Sequence, residues 1–248
     1  MSMLHEAAKS GNVERFQTLL ARDKDIDLVD NEGFTPLFWA CFSGKIKMVN
    51  YLIRKGCDPN YTKNRLRPIH GAAINGYKEV LKILLKNGVD VDSREFCSDR
   101  TPLHWAAQEG RIDAGRYLIE QGANINKLNK SGETPLRIAI GEDNIDFVKT
   151  LCKFHVDINK YATRASALIL ACAYNRIEIV RFLIERGANI NIRNEDNETP
   201  LFFAARHGSK ELVNLLISNH ADLRVKNKNG KRAVDFAKNK MIRSLLIA

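Results

Sequence analysis

The chain has 248 residues, 44% of them hydrophobic, and 39 basic against 29 acidic side chains give a formal net charge of +10. That apolar share is ample for a folded core, and no stretch approaches the ~18 consecutive apolar residues of a membrane span. The opening Met1-Ser2-Met3-Leu4-His5-Glu6 lacks the basic-then-apolar order of a signal segment, and five cysteines without a Cys-x-x-Cys spacing argue against a disulfide framework or a zinc site, so the expected setting is intracellular, cytoplasmic or nuclear.

Along the chain one phrase keeps returning. It starts weakly at Ser2, is complete as Thr35-Pro36-Leu37-Phe38-Trp39-Ala40, and weakens again at Arg67. It is restored as Thr101-Pro102-Leu103-His104-Trp105-Ala106 and Thr134-Pro135-Leu136-Arg137-Ile138-Ala139. After a weak copy at Ser166 it reads Thr199-Pro200-Leu201-Phe202-Phe203-Ala204, and it fades at Arg232; the spacing is 32 to 34 residues throughout.

Residues 30–62 show what each copy does. Asp30-Asn31-Glu32-Gly33 is turn chemistry, since glycine supplies positive φ. Thr35 is the expected helix N-cap and Pro36 follows where its missing N–H costs nothing. Leu37 and Ala40 share the face of a short inner helix, which Gly44 closes. Met48, Val49, Leu52 and Ile53 form the apolar stripe of a second, outer helix, capped at Gly56. Stripes of the same form are Val80, Leu81, Leu84, Leu85 and Ile179, Val180, Leu183, Ile184. Cys41 and Cys172 share a small slot with Ala8, Ala73, Ala107 and Ala205, so buried thiols are expected there.

This phrase at a period near 33 resembles the ankyrin repeat, with its Thr-Pro-Leu-His-x-Ala signature. The resemblance implies an all-α repeat solenoid of helix-turn-helix units with projecting β-hairpin fingers. The period gives a single array over 1–248: repeats near 1–29, 30–61, 62–95, 96–128, 129–160, 161–193 and 194–226, then a truncated capping repeat over 227–248. The Gly-Ala-Asn-Ile-Asn exits at Gly122–Asn126 and Gly187–Asn191 exclude a tetratricopeptide array.

The pattern has weak joints. Arg65 and Arg67 replace the turn glycine and capping threonine of repeat three, and repeat four carries one extra residue near Phe96-Cys97-Ser98-Asp99. Repeat five has Gly141-Glu142-Asp143-Asn144 at its inner-helix end and His155 at an outer-helix cap, repeat six reads Arg164-Ala165-Ser166-Ala167, and His220 caps the outer helix of repeat seven. A solenoid does not average such weakness away, so residues 129–193 are expected to open first unless packing compensates. Met241, Ile242, Leu245, Leu246 and Ile247 are expected either to dock back on repeat seven or to begin a further repeat.

The family binds partners with finger tips and inner helices on its concave side. The resemblance therefore selects Phe34, Trp39, Phe42, Leu66, Ile74, Arg100, Trp105, Gln108, Tyr174 and Arg206 as partner-facing, with Ile138, Leu170 and Glu198 at equivalent positions. Trp39 and Trp105 either meet a partner or stiffen the stack. His5, His70 and His104 fall on the repeat's own histidine position, which implies bonds to neighbouring backbone. Finger asparagines such as Asn60, Asn126, Asn159 and Asn191 match positions hydroxylated in some family members.

No phosphate-loop, zinc-protease or nucleophile-elbow motif occurs, so no enzyme, cofactor or metal is expected. The leading reading is a protein-binding module or adaptor, monomeric by itself. One alternative is nucleic-acid or anionic-surface binding through the basic C-terminal end, where Arg224, Lys226, Lys228, Lys231, Arg232, Lys238, Lys240 and Arg243 face Asp235 alone. A third reading is the recognition domain of a larger enzyme or channel.

Overall fold

The computed structural model describes residues 2–23, 25–63, 66–154, 156, 158–159 and 165–247. The expectations placed on Arg65, His155 and Arg164 lie outside the described residues. The chain divides into two compact units, 1–131 and 132–248.

In the first unit, four helix pairs follow one another. The inner helices Met3–Ser10, Pro36–Phe42, Pro68–Asn75 and Pro102–Gln108 alternate with the outer helices Val13–Asp23, Ile46–Arg54, Lys78–Lys86 and Ile112–Glu120. Inner packs on inner and outer on outer, as a stack of two-helix units requires. The small slot explains how close the inner helices lie: Ala8, Cys41, Ala73 and Ala107 are fully buried. The stripes Met48/Val49/Leu52 and Val80/Leu81/Leu84 fill the space between inner and outer layers.

The second unit repeats the scheme with the inner helices Pro135–Gly141, Ala167–Ala173 and Pro200–His207 and the outer helices Ile145–Lys153, Ile177–Glu185 and Lys210–Ser218. It ends in a single 3-10 turn, Ala233–Phe236, and a short helix, Lys240–Leu245. Ile242 and Leu246 of that end are buried, so docking falls to them, while Met241 and Ile247 stay exposed.

Cysteine burial gives a direct check. Cys41 and Cys172 are fully buried, and burial pushes both thiols well above their ordinary value. Burial pushes Cys57 up to about 12, whereas Cys97 is exposed. A thiol reagent at neutral pH is expected to modify Cys97 first, with Cys41 and Cys172 reacting only on unfolding. Rapid labelling of Cys41 in mass spectra of the folded chain would contradict this burial.

Capping is more varied than the recurring phrase suggests. The hydroxyls of Thr35, Thr134 and Ser166 accept the N–H three residues on, at 3.1, 3.3 and 3.4 Å, so Ser166 keeps the cap although Ala167 replaces proline. The Thr199 hydroxyl is buried and makes no bond. Where Arg67 replaces threonine the hydroxyl cap is lost but the histidine tie remains: His70 Nδ1 accepts the Arg67 N–H at 3.0 Å, as His104 Nδ1 accepts the Thr101 N–H at 3.1 Å, and His70 Nε2 donates to the Ser93 carbonyl at 2.9 Å. His5 likewise reaches the Leu28 carbonyl at 2.9 Å. The histidines are therefore backbone ties.

The missing glycines leave a visible trace. Asp143, Asn175 and His220 adopt positive φ of 61°, 56° and 65° where other repeats place glycine. A non-glycine residue in that region costs on the order of 1–2 kcal/mol, and the buried Asn175 Oδ1 has no partner as well. Asn175→Gly is therefore expected to stabilise the second unit by about 1 kcal/mol, seen as a higher urea midpoint. An unchanged or lower midpoint would show that packing already compensates.

The expected β-hairpin fingers contain no strands among the described residues, where pairing is limited to isolated bridge residues: Lys226 with Arg232, antiparallel, and a bridge position at Ala165. The first finger shows the reason. Asp30 Oδ1 accepts the N–H groups of Glu32 and Phe34 at 2.9 and 3.1 Å, while Asp30 N–H meets the Phe34 carbonyl at 3.0 Å. A side chain closes this turn, leaving too few residues for a ladder. Asn194 and Asn227 repeat the arrangement.

Candidate partner-binding surface

Two clusters form on the finger and inner-helix side of the first unit. In the first, Phe34 stacks on Phe38 with ring centroids 3.9 Å apart. Phe38 lies 5.8 Å from Phe42, and Trp39 stands edge-on to Phe34, Phe38 and Phe42 at 5.5, 5.5 and 5.8 Å. The Trp39 Nε1–H donates to Asp30 Oδ2 at 2.8 Å, and Lys9 Nζ sits 4.7 Å from its ring centroid. Burial works to raise the Asp30 carboxyl, but bonds from Trp39, Phe34 and Glu32 outweigh it and hold the group below its ordinary value.

The second cluster is polar. The Arg100 guanidinium lies over Trp105, 5.1 Å from the ring centroid, and its Nη1 donates to Gln108 Oε1 at 2.5 Å. Arg100, Trp105 and Gln108 are all half-buried. The buried Glu95 accepts the N–H groups of Cys97 and Ser98 at 2.8 and 2.6 Å and the Ser98 hydroxyl. Burial would raise this carboxyl too, and those bonds together hold it low. Glutamate in place of aspartate spans the extra residue of this finger.

These clusters reveal a pairing that the periodic reading missed. The residue before the helix cap meets the one eight places later: Arg100 with Gln108, and in the second unit Glu198 with Arg206. Phe34 and Phe42 hold the same two places, joined through Phe38, and Leu66 and Ile74, both half-buried, do so in repeat three. Several residues expected to face a partner therefore face one another first. Phe34 is 9% exposed, and Ile138, Leu170 and Glu198 are buried, which corrects their assignment to the free surface. Trp39, Phe42 and Ile74 remain half-exposed.

In the second unit, Arg206 pairs with Glu198 through Nη1 and Nη2, the Nη1 contact at 2.7 Å, and Asn227 donates to Glu198 at 3.1 Å. Arg206 also lies 4.3 Å from the Phe236 ring centroid. Tyr174 is 53% exposed. Phe236 is half-buried and packs at 5.8 Å against Phe202. The eight basic residues from Arg224 to Arg243 are all exposed.

One residue stood outside the expected set. Phe96, at the lengthened finger, is 83% exposed. Its carbonyl accepts from Lys130 Nζ at 2.9 Å, and Ser98 O accepts the Lys130 N–H at 2.8 Å. Asp99 holds φ of 56° and pairs with Arg94 at 3.1 Å. The sequence signal was an aromatic residue where the fingers near Asn31, Glu195 and Lys228 carry polar ones.

Among the described residues no group of His, Cys, Asp and Glu is placed to hold a metal ion, and no helix is long and apolar enough to cross a membrane. A family model of ankyrin repeats (three copies) matches residues 4–95, 69–162, 103–194 and 155–227. The bovine (Bos taurus) Ankyrin repeat and SOCS box protein 3 is 34% identical over 205 residues, covering 81% of this chain and 33% of its own. The human (Homo sapiens) transient receptor potential cation channel subfamily A member 1 is 30% identical over 232 residues, covering 84% and 20%. The B-cell lymphoma 3 protein homolog of Mus musculus is 29% identical over 212 residues, covering 81% and 47%. The chain thus spans less than half the length of each of these relatives. Ankyrin repeats serve in general as protein–protein interaction modules. With the recurring caps, the stacked helix pairs and a match across nearly all its repeats, the chain belongs to the ankyrin-repeat family.

Proposed function

We propose that this chain, one run of repeats over 1–248, is a non-catalytic binding module or adaptor inside the cell. It holds a partner protein on the finger and inner-helix face of its first unit. The observation that carries the reading is the placement of both tryptophans: Trp39 and Trp105 are half-exposed, each with a cation over its ring, Lys9 or Arg100. Half-buried aromatics fixed by neighbours offer contact area at little entropic cost, and Trp and Arg dominate interfaces that have been scanned. Phe42, Leu66, Ile74 and Gln108 extend this face, and Tyr174 and Arg206 are the candidates in the second unit. The five free cysteines fit a reducing compartment.

The test is affinity capture by the wild-type chain beside a Trp39→Ala/Phe42→Ala/Trp105→Ala variant shown to be folded. A partner held only by the wild type supports the reading, and one held equally by both moves the site elsewhere. The exposed basic end favours a second reading, in which an acidic surface or nucleic acid docks there. Steep loss of binding as salt rises, unaffected by the triple variant, would select it. A recognition domain within a longer enzyme or channel is the third, resting on the partial coverage of the relatives.

A further inference from the structure

Trp39 and Trp105 hold the same repeat position but differ in one bond. The finger of repeat two supplies Asp30, whose Oδ2 receives the Trp39 Nε1–H at 2.8 Å. The finger of repeat four is one residue longer, and its carboxylate, Glu95, is turned inward to the Cys97 and Ser98 N–H groups. Trp105 Nε1 is therefore shielded from water with no acceptor, and so is Arg100 Nε. These two unspent donors belong to side chains already in contact, with the guanidinium 5.1 Å from the Trp105 ring centroid. A donor removed from water and left unpaired is costly, so an acceptor that reaches it is strongly favoured.

We infer that Arg100 and Trp105 form a receptor for one carboxylate of the partner, an aspartate or glutamate side chain in an acidic segment. This rests on the proposed partner-binding role of the same face. A carboxylate only accepts and has two oxygens, one for the indole N–H and one for the guanidinium edge. It takes up at Trp105 the bond that Asp30 makes at Trp39. Arg100 Nη1 is already committed to Gln108 at 2.5 Å, which leaves the Nε edge for the ligand. Arg100 is only half-buried, so it can turn that edge to an incoming group without disturbing the repeat core.

The experiment uses the full chain and an acetylated, amidated hexaglutamate peptide, with hexaglutamine and inorganic phosphate as comparisons. Binding is followed by calorimetry at low salt, and by fluorescence in a Trp39→Phe variant, which leaves Trp105 as the single tryptophan. Hexaglutamate is expected to saturate and shift Trp105 emission, while hexaglutamine does not. Arg100→Ala and Trp105→Phe, both checked for wild-type melting, are each expected to weaken it about tenfold. Lys228→Glu/Lys231→Glu is expected to leave the Trp105 response unchanged. Wild-type affinity in both Arg100→Ala and Trp105→Phe overturns the inference. So does loss confined to the Lys228/Lys231 variant, or equal displacement by phosphate, which would mark a site for free anions. If hexaglutamate fails but the triple tryptophan–phenylalanine variant still loses its captured partner, this inference alone falls. If the partner is retained, the reading beneath it falls too.

Discussion

Acidification from pH 7 to pH 4 is expected to destabilise the first unit by about 3 kcal/mol, chiefly through His70. Burial lowers the His70 value from 6.5 to about 4, although its bond to the Ser93 carbonyl and the nearby Glu95 charge work the other way. The ring is fully buried, and its Nδ1 must stay unprotonated to accept the Arg67 N–H. A base whose folded value lies below its unfolded one favours unfolding when protonated. Its stabilisation is thus complete above about pH 6.5 and is lost as pH falls towards about 4. His5 is lowered in the same direction, again mainly by burial. Urea midpoints can be followed by tryptophan fluorescence, which reports this unit because both tryptophans lie in it. In His70→Gln the slope between pH 6.5 and 4 should largely disappear and the chain should be less stable at pH 7; an undiminished slope would assign the effect to other groups.

Phe38→Ala is expected to cost about 3–5 kcal/mol. Phe38 is 3% exposed and stands where repeats three and four carry His70 and His104. It joins Phe34 to Phe42, and removing it leaves a hole beneath both and beside Trp39. The next repeat is fitted to this stack. A Cβ at Gly71 would lie 3.2 Å from Phe38 Cε2 and 3.3 Å from Phe42 Cβ, which explains a glycine within a helix. Gly71→Leu should therefore also destabilise by several kcal/mol, on the order of the overpacking penalty, and should do less harm in the Phe38→Ala background. Equal penalties in the two backgrounds, from denaturant titrations, would show that Gly71 and Phe38 are not coupled.

The scaffold was legible because it is periodic. The Thr-Pro caps, the small slot of Ala8, Cys41, Ala73 and Ala107, and the apolar stripes each recur at one offset, so the repeat displays them several times. His220 at positive φ was legible for the same reason, standing where glycine belongs. What escaped depends on side-chain length and on neighbours in space. Nothing periodic announced that Arg100 would reach Gln108, or that Arg206 would reach Glu198. The fingers close on Asp30, Asn194 and Asn227 instead of pairing as strands, because one side chain satisfies two N–H groups in so short a turn. Phe96 was visible only as an aromatic in a lengthened finger, since its projection is set by the bonds of Glu95 and Lys130 beneath it.

The central claim is that the finger and inner-helix face of the first unit holds the partner. The most direct measurement places a benzophenone photocrosslinking residue at Phe42 or Gln108 on that face, and at the exposed outer-helix positions Glu79 or Arg116 as comparison. The account predicts one partner crosslinked from Phe42 and Gln108 and absent from Glu79 and Arg116, with the wild-type chain competing. The same partner crosslinked from Glu79 and Arg116, and not from Phe42 or Gln108, would contradict it.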